Sequence, residues 1–185
     1  MTELVVMVEE ESARIVVETL LQRMLPDRGV IVVPHRGRSD LRASVPRKLA
    51  AWKHPPDVPF LILHDNDRSI CMDLKKELIA LLPPNARNRT RIRIVMQELE
   101  SWYLGDFPAL CAAGLMSQKK ARDLERSAKF RDPDAVAHPK SEFFKLHDDV
   151  GQIALARRIA PHLDPRNNRS RSFQLFVRTI DALIP

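Results

Sequence analysis

FLILHDND, residues 60–67, sets four uninterrupted apolar residues against a polar end that carries two carboxylates. An apolar run of this length without polar alternation suits a strand covered on both faces, as in a parallel sheet. Asp65 and Asp67 lie two residues apart, and extended backbone directs side chains at that spacing to the same side. Ile70 to Leu82 then carries helical periodicity up to Pro83-Pro84. Strand, acidic loop and helix thus form one unit.

The same unit precedes it twice. Leu4 to Val8 is an apolar run that stops at Glu9-Glu10-Glu11, after which Ile15, Val16, Leu20, Leu21, Met24 and Leu25 recur at helical spacing until Pro26. Val30 to Val33 is β-branched and closed by Pro34; a basic loop, His35 to Arg38, leads to a helix from about Leu41 to Trp52. Lys53 to Pro59 is proline-rich and reads as a connection. Arg91 to Met96 predicts a fourth strand, running into the start of a helix at Glu98 to Tyr103. This alternation predicts an α/β, Rossmann-like fold with a mostly parallel sheet of about four strands flanked by helices. From Asp106 onward the pattern is helical only, with segments near Ser117 to Lys129, Ser141 to Leu146, Ile153 to Ala160 and Ser172 to Leu183. Residues 1–105 therefore read as an α/β core and 106–185 as a helical C-terminal extension packed on its edge or rim.

Composition bounds the function. The 185 residues suit one compact domain, and no apolar run approaches the roughly 20 residues of a membrane span. Met1-Thr2-Glu3 passes directly into a strand without the basic start of a secretory signal, so a cytoplasmic protein is expected. Cys71 and Cys111 are too far apart to suggest a zinc site or a disulfide framework. A formal charge of +6 permits a polyanionic partner without demanding one. Arg87, Arg89, Arg91 and Arg93 form one basic cluster, and Arg166, Arg169 and Arg171 another. Each reads either as phosphate contacts or as a solvated face.

In open parallel sheets ligands gather beyond the carboxyl ends of the strands. Glu9, the first polar residue after the first strand, joins Asp65 and Asp67 there. Like charges so close repel, and a magnesium or manganese ion, taking oxygen ligands, resolves the repulsion. Glu100 reads equally as a supporting carboxylate or general base and as a helix start; Glu98, Glu10, Glu11 and Asp73 read as helix residues. His35 and His64 read as surface or capping groups, with phosphate contact or support of the acidic site as the alternative. Trp102 reads as core. The candidate nucleic-acid contacts are Arg36, Arg38, Lys75, Arg91, Arg93, Arg169 and Arg171.

Five ordered motifs carry a resemblance: VEEES at Val8 to Ser12, HRGRSDL at His35 to Leu41, HDNDRSICMDLKKEL at His64 to Leu78, ELESWYLGD at Glu98 to Asp106, and NRSRSF at Asn168 to Phe173. Together they resemble the bacterial TOPRIM-like family catalogued as domain of unknown function 4276. TOPRIM domains, shared by topoisomerases, bacterial primases and overcoming-lysogenization-defect nucleases, use a glutamate after strand one and an Asp-x-Asp after a later strand. The resemblance assigns those roles to Glu9, Asp65 and Asp67. It departs at Glu10, where many TOPRIM motifs have glycine, and a bulkier charged residue there alters how closely a phosphate approaches the backbone.

The resemblance implies a metal-dependent nuclease acting on nucleic acid, DNA before RNA, in defence against foreign DNA and beside a separate ATPase protein. With no glycine-rich phosphate loop in the chain, nucleotide hydrolysis would fall to that other protein. The alternative is a non-catalytic module that uses the same acidic site to bind nucleic acid or the ATPase. A topoisomerase is disfavoured because Tyr103, the single tyrosine, lies close to the acidic site rather than on a separate gate. A primase is disfavoured because no zinc segment or polymerase body accompanies the chain.

Overall fold

The computed structural model describes residues 2–53, 57–146 and 151–185, so the expected connection over Lys53 to Pro59 lies partly outside the described residues. Four strands, β1 (Thr2–Val8), β2 (Gly29–Pro34), β3 (Phe60–Asp65) and β4 (Thr90–Val95), form one parallel sheet in the order β2-β1-β3-β4. Side chains of successive strand residues point to opposite faces, and both faces of β1 are buried. Leu4, Val6 and Val8 join one core, and Val5 and Met7 the other, all at 0% exposure. That two-sided burial is why these strands read as unbroken apolar runs.

Helices α1 (Glu11–Met24) and α2 (Arg38–Ala51) pack on opposite faces, Ile15 to Leu21 with the first core and Leu41 to Leu49 with the second. The chain moves outward from β1 to β2, then returns across β1 to β3, and crossovers of one hand place the two helices on opposite sides. Helix α3 (Cys71–Ala80) joins α2 in the second core through Leu74 and Leu78. Pro83-Pro84, expected only as a terminator, also opens a short helix, α4 (Pro84–Arg87), with proline at its first turn.

The C-terminal elements are α5 (Glu100–Leu104), α6 (Phe107–Ala112), α7 (Gln118–Arg126), α8 (Pro139–Phe144), α9 (Gln152–Ile159) and α10 (Arg171–Leu183). They are not confined to the sheet's rim. Trp102, Phe107, Phe143, Ile159, Phe173 and Phe176 belong to the same buried core as Leu4, Val6, Leu61 and α1, so the tail makes much of the layer over one face. Trp102 lies edge-on to Phe173 with ring centroids 5.0 Å apart and is tilted against Phe176 at 5.1 Å.

The NRSRSF segment fastens this layer. Asn168 Nδ2 donates to the Trp102 carbonyl at 2.8 Å, and its Oδ1 accepts the Ser170 N–H at 2.9 Å. Ser170 Oγ and the Ser172 N–H both donate to the buried Asp134 carboxylate, at 2.6 and 2.7 Å, while Trp102 Nε1 donates to Ser172 Oγ at 3.1 Å. Gly105 admits this network: a Cβ there would lie 2.2 Å from Asn168 Oδ1 and 2.9 Å from the Ser170 nitrogen. Gly105→Ala is therefore expected to destabilise the protein by about 1–3 kcal/mol, the usual cost of overpacking. Urea unfolding measures it, and the same substitution in an Asn168→Ala background should cost less.

Candidate acidic site

The reversal of chain direction puts β1 and β3 side by side while their crossover helices leave on opposite faces, which opens a crevice beyond their carboxyl ends. Glu9 follows β1 into this crevice and Asp65 closes β3. The neighbouring loop is tied to the same point: the Gly37 N–H donates to the Glu9 carbonyl at 2.8 Å, and His35 Nδ1 lies 2.8 Å from the Val8 carbonyl. Lys48 Nζ stands 2.8 Å from His35 Nε2, an arrangement satisfied by a neutral ring with its proton on Nδ1. Burial pushes the His35 pKa below its ordinary value, the Val8 carbonyl opposes that, and the Lys48 charge reinforces it.

Glu9 is held from β3. Its Oε1 accepts the Asp65 backbone N–H at 2.8 Å and lies 2.8 Å from His64 Nδ1. His64 Nδ1 also approaches the Asp65 carbonyl at 2.6 Å. Burial opposes a charge on His64, yet the hydrogen bond and charge of Glu9, with the Asp65 carbonyl, outweigh it and raise the pKa above the ordinary 6.5. His35 and His64 are thus both buried, contrary to a surface reading, and His64 supports the acidic site directly.

Beyond Asp65 the backbone turns sharply. Asp67 and Arg68 have φ of 43° and 66°, and Gln97 in the loop after β4 has 61°, left-handed values that side-chain-bearing residues rarely adopt. Asn66 holds the two loops together. Its backbone N–H donates to the Val95 carbonyl at 3.0 Å, its Oδ1 accepts the Gln97 N–H, and its Nδ2 donates to the Ser69 carbonyl at 3.1 Å. The Asp67 N–H donates in turn to the Gln97 carbonyl at 3.2 Å.

Carboxylates from three strand ends share this space. Burial raises the Asp65 pKa well above the ordinary carboxylate range, and the charges of Glu9, Glu100, Asp67 and Glu10 push it further. Glu100, 2% exposed, is pushed up to about 7 by burial, against the pull of Lys140 and with the repulsion of Glu98 and Glu10. Burial, then Glu100, Glu10 and Asp65, raise the Tyr103 phenol as well. The Tyr103 hydroxyl, Ser101 Oγ and His64 Nε2 are buried without a hydrogen-bond partner among the described residues. Glu10 accepts from Ser12 Oγ at 2.7 Å and from Gln152 Nε2 of α9, and the Lys140 N–H of α8 donates to Glu98 at 3.0 Å.

The three expected metal ligands are brought to one end of the sheet, but their side chains do not form a ligand cluster. Among the described residues no group of three His, Cys, Asp or Glu side chains stands ready to hold an ion. Glu9 faces His64 and the Asp65 N–H, and Asp67 pairs with Arg38 at 2.9 Å. The expected basic contacts scatter. Arg36 and Arg38 flank the crevice on the loop after β2, whereas Arg91 sits four residues before the end of β4, about 13 Å down the strand. Arg93 donates from Nε to Thr179 Oγ1 at 2.6 Å, and Lys75 and Arg171 line a separate cleft. Arg169 is not offered to a phosphate: its guanidinium donates to the Phe130 and Leu104 carbonyls at 3.3 and 3.2 Å and lies over the Phe107 ring. Sequence reasoning missed Asn66, Lys140 and Gln152. Asn66 had a signal, a short amide between two carboxylates in a turn; the other two come from the distant tail and had none.

Among the described residues no helix is long and apolar enough to cross a membrane. No curated protein matches the chain. Solved structures do. The chain is similar to the C-terminal region of the Xanthomonas campestris pv. campestris OLD protein, with 13% identity, a TM-score of 0.59, and 99% of this chain and 96% of that one covered. It is also similar to the C-terminal region of the Burkholderia pseudomallei OLD protein, with 15% identity, a TM-score of 0.57, and 99% of each chain covered. At such identities the likeness shows the fold, and the fold is the α/β arrangement expected from the sequence, a parallel four-stranded sheet flanked by helices. The model of the domain of unknown function DUF4276 matches residues 8–181, and the chain belongs to that family.

Proposed function

We propose that the chain is a metal-dependent nuclease domain that hydrolyses phosphodiesters of DNA or RNA at the acidic crevice. The observation that carries this reading is the gathering of Glu9, Glu10, Asp65, Glu98 and Glu100 at neighbouring strand ends, with Glu100 buried, where burial and mutual repulsion raise Asp65 and Glu100 above their ordinary range. Ionised carboxylates kept from water are costly unless a cation or hydrogen bonds offset them. The chemistry of the donors, all oxygen, suits magnesium or manganese; Glu9, Asp65 and Asp67 would hold the ion once Asp67 leaves Arg38, with Glu100 in support. When bound, such an ion supplies charge neutralisation and Lewis acidity toward a phosphate.

The remaining roles fall to the chain's own residues. His64 and the Asp65 N–H fix the Glu9 carboxylate, so little rotamer freedom is left to lose on binding. Asn66 presents Asp67 through a left-handed turn. Glu100, titrating near neutrality, suits proton transfer at the reacting oxygen. Arg38, once released from Asp67, and Lys140 supply positive charge for phosphate oxygens. The resemblance to TOPRIM nucleases supports this reading and suggests DNA before RNA as substrate, a separate ATPase protein as partner, and a place in defence against foreign DNA. A second reading, a non-catalytic nucleic-acid- or ATPase-binding module, is favoured by two observations: Asp67 is paired with Arg38, and Glu10 stands where many TOPRIM motifs have glycine.

Cleavage of single- and double-stranded DNA and RNA, assayed with magnesium and manganese, separates the two. Wild type should cut, Glu9→Ala and Asp65→Ala should not, and His64→Ala should weaken metal affinity by about 10- to 100-fold. Activity that survives both carboxylate substitutions overturns the site; salt-dependent binding without cutting supports the second reading.

The same groups set a pH dependence. The Glu100 and Asp65 pKa values are raised on folding, so their contribution to stability is complete below the ordinary values of 4.5 and 3.8 and is lost as pH rises through the folded ones. His64, raised above 6.5, acts in the same direction. For Glu100 the window runs from 4.5 to about 7 and is worth up to about 3 kcal/mol. Metal-free protein should therefore lose stability as pH rises from about 4.5 through about 7 in chemical denaturation. Glu100→Gln should flatten the loss, and magnesium should restore stability to wild type at the upper end. An equally steep loss in Glu100→Gln would show that Glu100 does not set the pH dependence.

A further inference from the structure

Among the described residues β4 pairs with β3 alone, and the ladder fixes which of its backbone groups are used. Phe60 N–H donates to the Arg89 carbonyl at 2.8 Å and Asn66 N–H to that of Val95 at 3.0 Å, so Arg91, Arg93 and Val95 turn their backbone groups toward β3. Thr90, Ile92 and Ile94 turn theirs outward. The outward carbonyls of Thr90 and Ile92 receive only long contacts, 3.4 and 3.3 Å, from the Arg91 and Arg93 guanidiniums. Among the described residues the Ile92 and Ile94 N–H groups have no partner on this side.

Beyond that edge lies a cleft of about 750 Å³. Ile92 and Ile94 form its floor, Met72 and Lys75 of α3 one wall, and Arg171 and Leu175 of α10 the other. Met72 is 64% exposed and Leu175 40%, although both border a space shaped by the fold. An apolar trough level with the sheet, walled by a helix from each layer and floored by unpaired strand groups, has the form of a site for strand addition.

We infer that this cleft receives an extended, acidic segment of a partner protein, which pairs with β4 as a fifth strand. Charge selects that occupant. Lys75 and Arg171 stand on the walls and Arg91 and Arg93 along the edge, while Asp134, the buried acid nearby, is consumed by Ser170 and Ser172; Asp132 is the one exposed acid of the lining. A second copy of this chain fits poorly. Two β4 edges joined about a twofold axis perpendicular to the sheet place residues of one face opposite residues of the same face, so arginines at 91 and 93 would meet arginines. A nucleic-acid strand fits poorly too, because the floor is aliphatic and no aromatic ring lines it for base stacking.

The inference stands apart from the acidic crevice and is tested without a cleavage assay. Two fluorescein-labelled synthetic peptides are compared on the full chain, one alternating valine with glutamate and one alternating valine with lysine. Fluorescence anisotropy gives affinity, and amide hydrogen exchange read by NMR gives location. The glutamate peptide should bind at least about tenfold more tightly and slow exchange at Ile92 and Ile94. In a Lys75→Glu/Arg171→Glu variant of unchanged circular dichroism the preference should reverse. Equal binding of both peptides, or absence of protection at Ile92 and Ile94, overturns the proposal. So does protection of those amides by an oligodeoxynucleotide alone, or by raising the protein concentration without peptide.

Discussion

The Glu9 carboxylate accepts the Asp65 backbone N–H, and this single bond joins the ends of the two central strands. Everything else about the acidic end depends on that junction being rigid. Carboxylates repel, and each additional one raises the cost of ionising its neighbours, so the backbone that carries them must be held by something stronger than the repulsion. Two-sided burial of β1 and β3 provides it: Val5, Val6, Phe60 and Leu61 are all at 0% exposure and locked in parallel register. Loop turns then add direction. Asn66 keeps Asp67 and Gln97 in left-handed backbone that neither would adopt unaided, and such strain persists only where surrounding bonds over-determine it.

The tail determines the electrostatics. Glu100 is buried because α5 is packed beneath the C-terminal layer, where Trp102 meets Phe173 and Phe176. Were that layer absent, the carboxyl would meet water and lose the main cause of its raised pKa. The polar network around Asp134, Ser170, Ser172 and Asn168 therefore acts on the acidic site from a distance, by fixing the helix that carries Glu100. It also explains why a segment rich in arginine and serine is mostly an internal fastening.

Local features of the chain were legible and distant ones were not. Apolar runs ending in acid announce buried parallel strands because both properties sit within a few residues, and Glu9, Asp65 and Asp67 were reached that way. The side-chain partners of those groups were not, since pairing Asp67 with Arg38 or Glu9 with His64 requires knowing how two loops face each other. The arginines misled for a related reason. Spacing along the chain cannot separate a guanidinium that waits for phosphate from one that serves carbonyls, as Arg169 does for Phe130 and Leu104. Helical periodicity in the tail likewise shows amphipathic segments without showing which face of the sheet they cover.

Glu10 links the acidic end to the C-terminal layer. In the position where many TOPRIM motifs have glycine, it adds a charge that disfavours ionisation of Asp65 and Glu100 and of the Tyr103 phenol. In return it accepts hydrogen bonds from Ser12 at the start of α1 and from Gln152 at the start of α9. Glycine offers neither effect. Glu10 thus tethers the first strand end to the C-terminal layer. The carboxylate that crowds Asp65 and Glu100 is therefore the same one that holds the start of α9.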